Sequence, residues 1–369
     1  MSVDHWHFPR PVLAQEYIAS FERGLSAARG LFARRRMGKT EFLCKDLIPA
    51  AESAGYQAAY INLWDNQDDP GSALVAALQQ AASPKGVSKV LADLRRPVRK
   101  LKAGARLPGL GEGTLEADLG TEPGAPIPLL TQAMQQLDKK RKKLLLVIDE
   151  AQVLAGKKNS VFAHALRAAL DIRKDFIKVI FAGSSETTLR SMFARPSEPF
   201  YNWAGLEPFQ LLGYEFVQAM VHKVNEVTRK PLSMEDATHA FQELRNTPEF
   251  FRRFLNQYLA NPLAGAASAL DTVKQQVYGD QDFERQWQEL LPADRAVLEM
   301  IAMGGKDLFG SEARTRMAAI LGLDEPVKRS TPQNALSRLM NKNLVTRLEH
   351  GRYQFEDESF ADWVRHRDT

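Results

Sequence analysis

From the amino terminus to about residue 210, short continuous apolar runs alternate with stretches whose apolar positions recur at helical spacing. Residues 31–33 end a first apolar run, 58–63 form a second, 144–148 (Leu-Leu-Leu-Val-Ile) a third and 178–182 a fourth. Runs this uniformly apolar suit strands buried on both faces of a parallel sheet. Helical spacing fills the gaps: Phe42, Leu43, Leu47 and Ile48 share one side of a helix from Lys39 to about Ala51, which Pro49 is expected to close a turn early. A second helix covers 161–172 and a third 186–193. Strand, helix, strand in repetition predicts an α/β sheet with right-handed crossovers.

Past residue 210 the strand signal stops. Residues 213–275 read as several helices, with Pro248 opening one that runs to Leu259. A last unit starts near Asp282 with helices over 294–303 and 311–321, and a third from Thr331-Pro332, where Thr caps and Pro suits the first turn. Residues 344–348 and 353–355 then flank His350-Gly351 as a hairpin. Three helices and a hairpin are the element order of a winged helix-turn-helix. The expected division is a core over 1–210, with a basic, Gly-rich insertion at about 84–128 read as loops with a hairpin, a helical lid over 211–278, and a winged-helix unit over 279–369.

Composition excludes several classes. At 44% hydrophobic and 25% charged residues over 369 positions, the chain is a folded protein rather than a disordered one. No apolar run approaches the roughly 20 residues of a membrane-spanning helix, and the amino terminus lacks a secretory pattern. A single cysteine, Cys44, allows no internal disulfide and no Cys-rich metal site; it reads as a small core residue, and the expected location is the cytoplasm. His5 and His7 make only half a metal site. The net charge of +4 is mild. Its distribution is uneven: Lys85, Lys89, Arg95, Arg96, Arg99, Lys100, Lys102 and Arg106 face only Asp93 within 85–106, and 139–143 reads Lys-Lys-Arg-Lys-Lys. Both clusters are either solvated surface or a polyanion-binding face.

The strongest chemical signal is Ala33-Arg34-Arg35-Arg36-Met37-Gly38-Lys39-Thr40, between a strand and a helix. At such a junction backbone N–H groups and the helix dipole hold phosphate. Arg36, Met37, Gly38, Lys39, Thr40 and Glu41 form the candidate nucleotide loop, with Lys39 for the outer phosphates and Thr40 for Mg²⁺. About 110 residues on, the third strand ends in Asp149-Glu150, carboxylates placed for Mg²⁺ and for the attacking water. Gly183-Ser184-Ser185 ends the fourth strand; a serine there either contacts the γ-phosphate or attacking water or caps the next helix, and one serine can do each.

Together Arg35 to Thr40, Leu146-Val147-Ile148-Asp149-Glu150-Ala151-Gln152 and Ala182-Gly183-Ser184-Ser185 make the chain resemble the archaeal-type ATPases. These belong to the AAA+/STAND branch of P-loop NTPases and carry a helical lid and C-terminal winged helix. The resemblance implies ATP and Mg²⁺ as cofactors, Lys39 and Thr40 as Walker A residues, Asp149 and Glu150 as Walker B residues, and Ser184 as sensor. Lys39, Glu150 and Ser184 would be catalytic; Thr40 and Asp149 would hold the metal. Two departures stand out. Ala33 replaces the first loop glycine, and Trp203 stands where the family often has an arginine, leaving Arg190 or Arg195 as substitutes; in the lid, Thr247 to Arg253 resembles a family segment facing the nucleotide, which implies Arg252 and Arg253 as sensor-like arginines.

The winged-helix unit carries 13 basic and 15 acidic residues over 282–369, yet Lys328, Arg329, Arg338, Lys342, Arg347 and Arg352 face only Glu349 within 328–352. With Gln333, Asn334 and Ser337 they are candidate contacts to double-stranded DNA. The alternative is a signalling or assembly ATPase whose winged helix meets a protein partner or a second copy. Trp287 and Trp363 are expected to pack that unit's core.

Overall fold

The computed structural model describes residues 4–66, 69–82, 126–155, 157–278, 280–305, 307–342, 344–349 and 352–367; the hairpin and basic cluster expected within 84–128 lie outside them. The amino-terminal core holds α1 (Pro11–Glu22), β1 (Ala28–Phe32), α2 (Lys39–Phe42), α3 (Ile48–Ser53), β2 (Gln57–Asn62), α4 (Pro70–Ala82), α5 (Pro126–Lys140), β3 (Leu144–Asp149), α6 (Ser160–Asp171), β4 (Ile177–Gly183), α7 (Glu186–Ala194) and β5 (Gly205–Pro208). All five strands run parallel in the order β2-β3-β4-β1-β5.

Because strand side chains alternate between faces, the apolar runs feed two cores at once. Leu144, Leu146 and Ile148 of β3 and Val179 and Phe181 of β4 pack under α4, α5 and α6. Leu145, Val147, Ile180 and Ala182 face the other way, against Phe21 of α1 and Phe42, Leu47 and Ile48 of the α2–α3 helix. Every residue of β3 is buried, which is why its pattern is continuous rather than alternating.

Pro49 does not close the helix after β1. A π-helical turn, Leu43–Leu47, joins α2 to α3, and Pro49 falls in the first turn of α3, where its missing N–H leaves no bond unmade. Helices α1, α4 and α5, and the short edge strand β5, carry weaker patterns than the central strands and emerge only in the structure.

The second unit is a helical bundle of α8 (Tyr214–Val227), α9 (Met234–Glu243), α10 (Pro248–Ala260) and α11 (Gly265–Tyr278), closed around Phe216, Phe241, Phe251 and Phe254. Pro248 opens α10 as expected. The third comprises α12 (Asp280–Gln288), α13 (Pro292–Ala302), α14 (Ser311–Ile320), α15 (Ser330–Asn341), the antiparallel hairpin β6 (Val345–Glu349) and β7 (Arg352–Phe355), and α16 (Glu358–His366). Thr331 lies inside α15, whose first turn forms without a side-chain cap. Trp287 and Trp363 are buried in this unit's core, 5.9 Å apart and edge to face. No helix among the described residues is long and apolar enough to cross a membrane.

Candidate functional site

Three strand ends meet at one edge of the sheet. β4 pairs with both β1 and β3, so the loop after β1, the Asp149-Glu150 pair after β3 and Ser184 after β4 converge there. In open parallel sheets the carboxyl ends of the strands are where ligands bind.

The loop after β1 turns through two left-handed residues, Arg36 at φ 66° and Gly38 at φ 81°. Gly38 suits that conformation; Arg36 is held in it by its surroundings. Ala33 has no positive φ, so the missing first glycine is no obstacle: Ala33 is buried and its N–H donates to Gly183 O at 3.3 Å. Met37 is buried, leaving only its backbone for a ligand.

Lys39 points inward, 6% exposed, with Nζ 3.0 Å from Asp149 Oδ1 and 3.6 Å from Glu150 Oε1. Asp149 is fully buried; it accepts from Thr40 Oγ1 at 2.6 Å and from Tyr60 at 3.3 Å. Burial, then the charge of Asp149, pushes the Tyr60 phenol well above its ordinary pKa, so it stays a donor. A hydroxyl and a carboxylate side by side are hard oxygen donors of the kind Mg²⁺ prefers, so Thr40 and Asp149 fit the expected metal. Glu150 adopts φ 54°, unusual for a side-chain-bearing residue. Its Oε2 accepts from Ser184 Oγ at 2.8 Å, Ser184 N at 3.3 Å and Gln152 Nε2 at 2.5 Å. Ser184 thus engages Glu150, while Ser185 caps α7 by accepting from Thr188 N.

Glu41 turns away from the loop. It accepts from His7 Nδ1 at 2.8 Å, Lys45 at 3.0 Å and Arg252 of α10 at 3.0 Å, while His7 Nε2 sits 3.1 Å from Asp46. His7 is therefore a clasp between two carboxylates; no group of three or more His, Cys, Asp or Glu side chains suited to a metal ion occurs among the described residues. Lys223 of α8 donates to His7 O and Arg252 to Trp6 O, so residues 6–7 bind core and bundle together. A cavity of about 170 Å³ opens beside this clasp, lined by Phe8, Arg10, Gly38, Leu212, Phe216 and Arg252 among others.

Burial opposes charge on His7, but the hydrogen bonds to Asp46 and Glu41 outweigh it and raise its pKa to about 9. Glu41 is also partly buried, yet His7 and Arg252 hold it well below its ordinary 4.5. A raised histidine contributes stability that is complete below its unfolded pKa and lost as pH rises through the folded one. The clasp should therefore be complete near pH 6.5 and weaken through pH 9. Glu41 adds the opposite limb, lost on acidification below about 4.5. A His7→Gln variant is expected to lose about 1–2 kcal/mol near pH 6.5, after allowing for solvent screening, and almost nothing above pH 9. Melting curves at the two pH values check this; an equal deficit at both would refute the clasp.

The other candidate residues separate. Arg252 reaches the cavity; Arg253 is exposed and pairs with Glu249 at 2.6 Å. Arg190 pairs with Glu186, and Arg195 is exposed at the end of α7. Trp203 packs inward against Phe181 and Phe200, donates to Asp171 at 3.0 Å and lies under Arg167. It fills core, not a catalytic position. In the third unit Lys328, Arg329, Gln333, Asn334 and Ser337 are exposed around α15. Arg338 is instead held by two nitrogens against buried Asp294 (2.6 and 3.0 Å), and Lys342 donates to Glu289 O. Asp294 on α13 needs a cation once buried, which corrects the expectation that Arg338 is available to DNA. The side chains of Arg347 and Arg352 lie outside the described atoms.

The sequence pattern assigned no role to two other features. Gln152 joins Glu150 and Ser184, and the turn after β7 reaches the site: Ser185 Oγ lies 3.0 Å from Glu356 Oε1, and Arg36 Nη1 lies 3.8 Å from Asp357.

No protein-family profile and no curated protein matches this chain. Solved structures do. The Walker-type ATPase of Pyrococcus abyssi superposes with a TM-score of 0.59 at 18% identity, covering 97% of this chain and 96% of its own. The Orc2 protein of Aeropyrum pernix, in ADPNP–ADP complexes, gives 0.55 at 13% over 97% and 93%. The Orc1 protein of the same organism, in complex with DNA, gives 0.52 at 14% over 100% and 95%. With its β2-β3-β4-β1-β5 sheet and the site at the strand ends, the chain has the P-loop AAA+ NTPase fold.

Proposed function

We propose that this chain binds ATP with Mg²⁺ and hydrolyses it, working as a nucleotide-dependent switch of the archaeal AAA+/STAND kind that associates with DNA through its C-terminal unit. The observation that carries the reading is the buried Lys39 ammonium set against Asp149 and Glu150 at the mouth of the loop. The phosphate chain of ATP is the ligand whose charge and position suit that ammonium and the free N–H groups of the helix start. Thr40 and Asp149 would hold Mg²⁺, which when bound supplies charge neutralisation for the transferred phosphoryl group.

Glu150 then acts as base: the water oxygen bonds to the γ-phosphorus, the bond to the ADP oxygen breaks with its electron pair, and a water proton passes to Oε1. Arg36 connects this site to the rest of the chain. Its guanidinium lies 3.7 Å from Glu249 of the bundle, 3.8 Å from Asp357 of the third unit, and over the Phe250 ring. Charge arriving at the loop acts on both contacts at once, which is what a switch needs. The direct test is thermal: Mg-ATP should raise the melting temperature of the full chain, and no rise at millimolar ATP would refute binding.

Helices α13, α14 and α15 followed by the β6–β7 hairpin give the order of a winged helix, and the exposed Lys328, Arg329, Gln333 and Asn334 suit phosphate and base edges. Replacing Lys328 and Arg329 by Glu should lower duplex affinity and reduce the slope of log K against log salt by about 2. Salt titration by fluorescence anisotropy checks it. An unchanged slope would favour a protein partner or second copy, a reading supported by the internal pairing of Arg338 and Lys342.

A further inference from the structure

Gln152 stands two residues past Glu150, on the 3₁₀ turn Ala151–Ala155. Asn159 pins that turn by donating to Val153 O at 2.8 Å. The Gln152 amide nitrogen contacts Glu150 Oε2 at 2.5 Å and Ser184 Oγ at 3.3 Å. Its Oε1 is buried without a donor, against Gly183, and a Cβ on Gly183 would collide with it. The last residue of β4 therefore leaves room for this amide, whose hydrogen bonds run through its nitrogen, the shorter to Glu150 and the longer to Ser184.

The consequence falls on the two oxygens of Glu150. Oε2 already accepts from Gln152 Nε2, Ser184 Oγ and Ser184 N, which fills its acceptor directions. Oε1 faces Lys39 Nζ at 3.6 Å, toward the phosphate end of the site. We propose that Gln152 is a positioning residue for hydrolysis: with Ser184 it locks Oε2 of Glu150, so that Oε1 alone meets the attacking water. This rests on the ATPase reading and names a residue that reading does not need. Fixing the carboxylate's rotation acts through orientation, so its loss lowers turnover rather than nucleotide affinity.

The test compares Gln152→Met with Gln152→Ala. Methionine preserves the packed length of the side chain and removes only the donor; alanine removes both. Each variant should release phosphate from Mg-ATP about tenfold more slowly at saturation, the order expected for a lost donor to a charged group. Affinity for a non-hydrolysable ATP analogue should stay within about twofold. Methionine restoring the wild-type rate would overturn the proposal in favour of packing alone, as would a loss appearing in affinity instead of turnover. Wild-type protein with no turnover above that of Glu150→Gln would overturn the ATPase reading itself, and this inference with it.

Discussion

Replacing Glu150 by Gln is expected to lower ATP turnover by about 10²- to 10⁴-fold, the usual worth of a positioned general base, with nucleotide affinity within about twofold. The amide keeps the size of the carboxylate and one acceptor oxygen for Ser184, so the loop and Lys39 retain their places. It cannot take the water's proton. A comparison of phosphate release with calorimetric ATP affinity separates the two effects, and parallel losses in both would show that Glu150 serves binding instead.

Replacing Lys39 by Met should act on the other quantity. The ammonium is 6% exposed between two carboxylates, and no other described cation approaches both. Removing it leaves buried Asp149 with two hydroxyls and the Glu150 N–H but no cation, and phosphate would then face two uncompensated carboxylates. ATP affinity is expected to fall by at least about 100-fold, the order that a buried, charge-paired contact carries. Equilibrium binding of a fluorescent ATP analogue measures it. Affinity within tenfold of wild type would place the phosphates elsewhere.

Much of this was legible in the sequence because the chemistry is local. A loop with Gly38-Lys39-Thr40 after an apolar run, and Asp149-Glu150 ending another, are single-segment signals, and the continuous pattern of residues 144–148 reports a strand buried on both sides. What was not legible depends on distant partners. Arg338 looks like a phosphate contact until Asp294, 44 positions earlier, is seen to hold it. Pro49 looks like a helix stop until the π turn before it absorbs the missing donor. Trp203 stands in an arginine's place in the motif, but its direction is set by Phe181, Phe200 and Asp171. Glu41, next to the loop in sequence, serves the His7 clasp because the amino-terminal segment folds back over α2. Gln152 ends a sequence motif without a role of its own; only the convergence of β3 and β4 gives it partners.

These same long-range contacts give the site its place in the whole chain. Arg36 sits in the loop yet touches Glu249 and Asp357, and Ser185 caps α7 yet meets Glu356. A triphosphate beside Arg36 would weaken its hold on Asp357 by competing for the same charge. By reciprocity, any partner that lifts the third unit would change nucleotide affinity by the same factor.

Under the proposed function, this strand-end site converts ATP to ADP and phosphate using a metal held by Thr40 and Asp149. The measurement that meets this reading most directly follows labelled ATP under single-turnover conditions with the full-length chain, in Mg²⁺ and again in excess EDTA. Conversion in Mg²⁺ that stops with chelation is the predicted result; ATP left intact in both, or converted equally in both, would contradict the account.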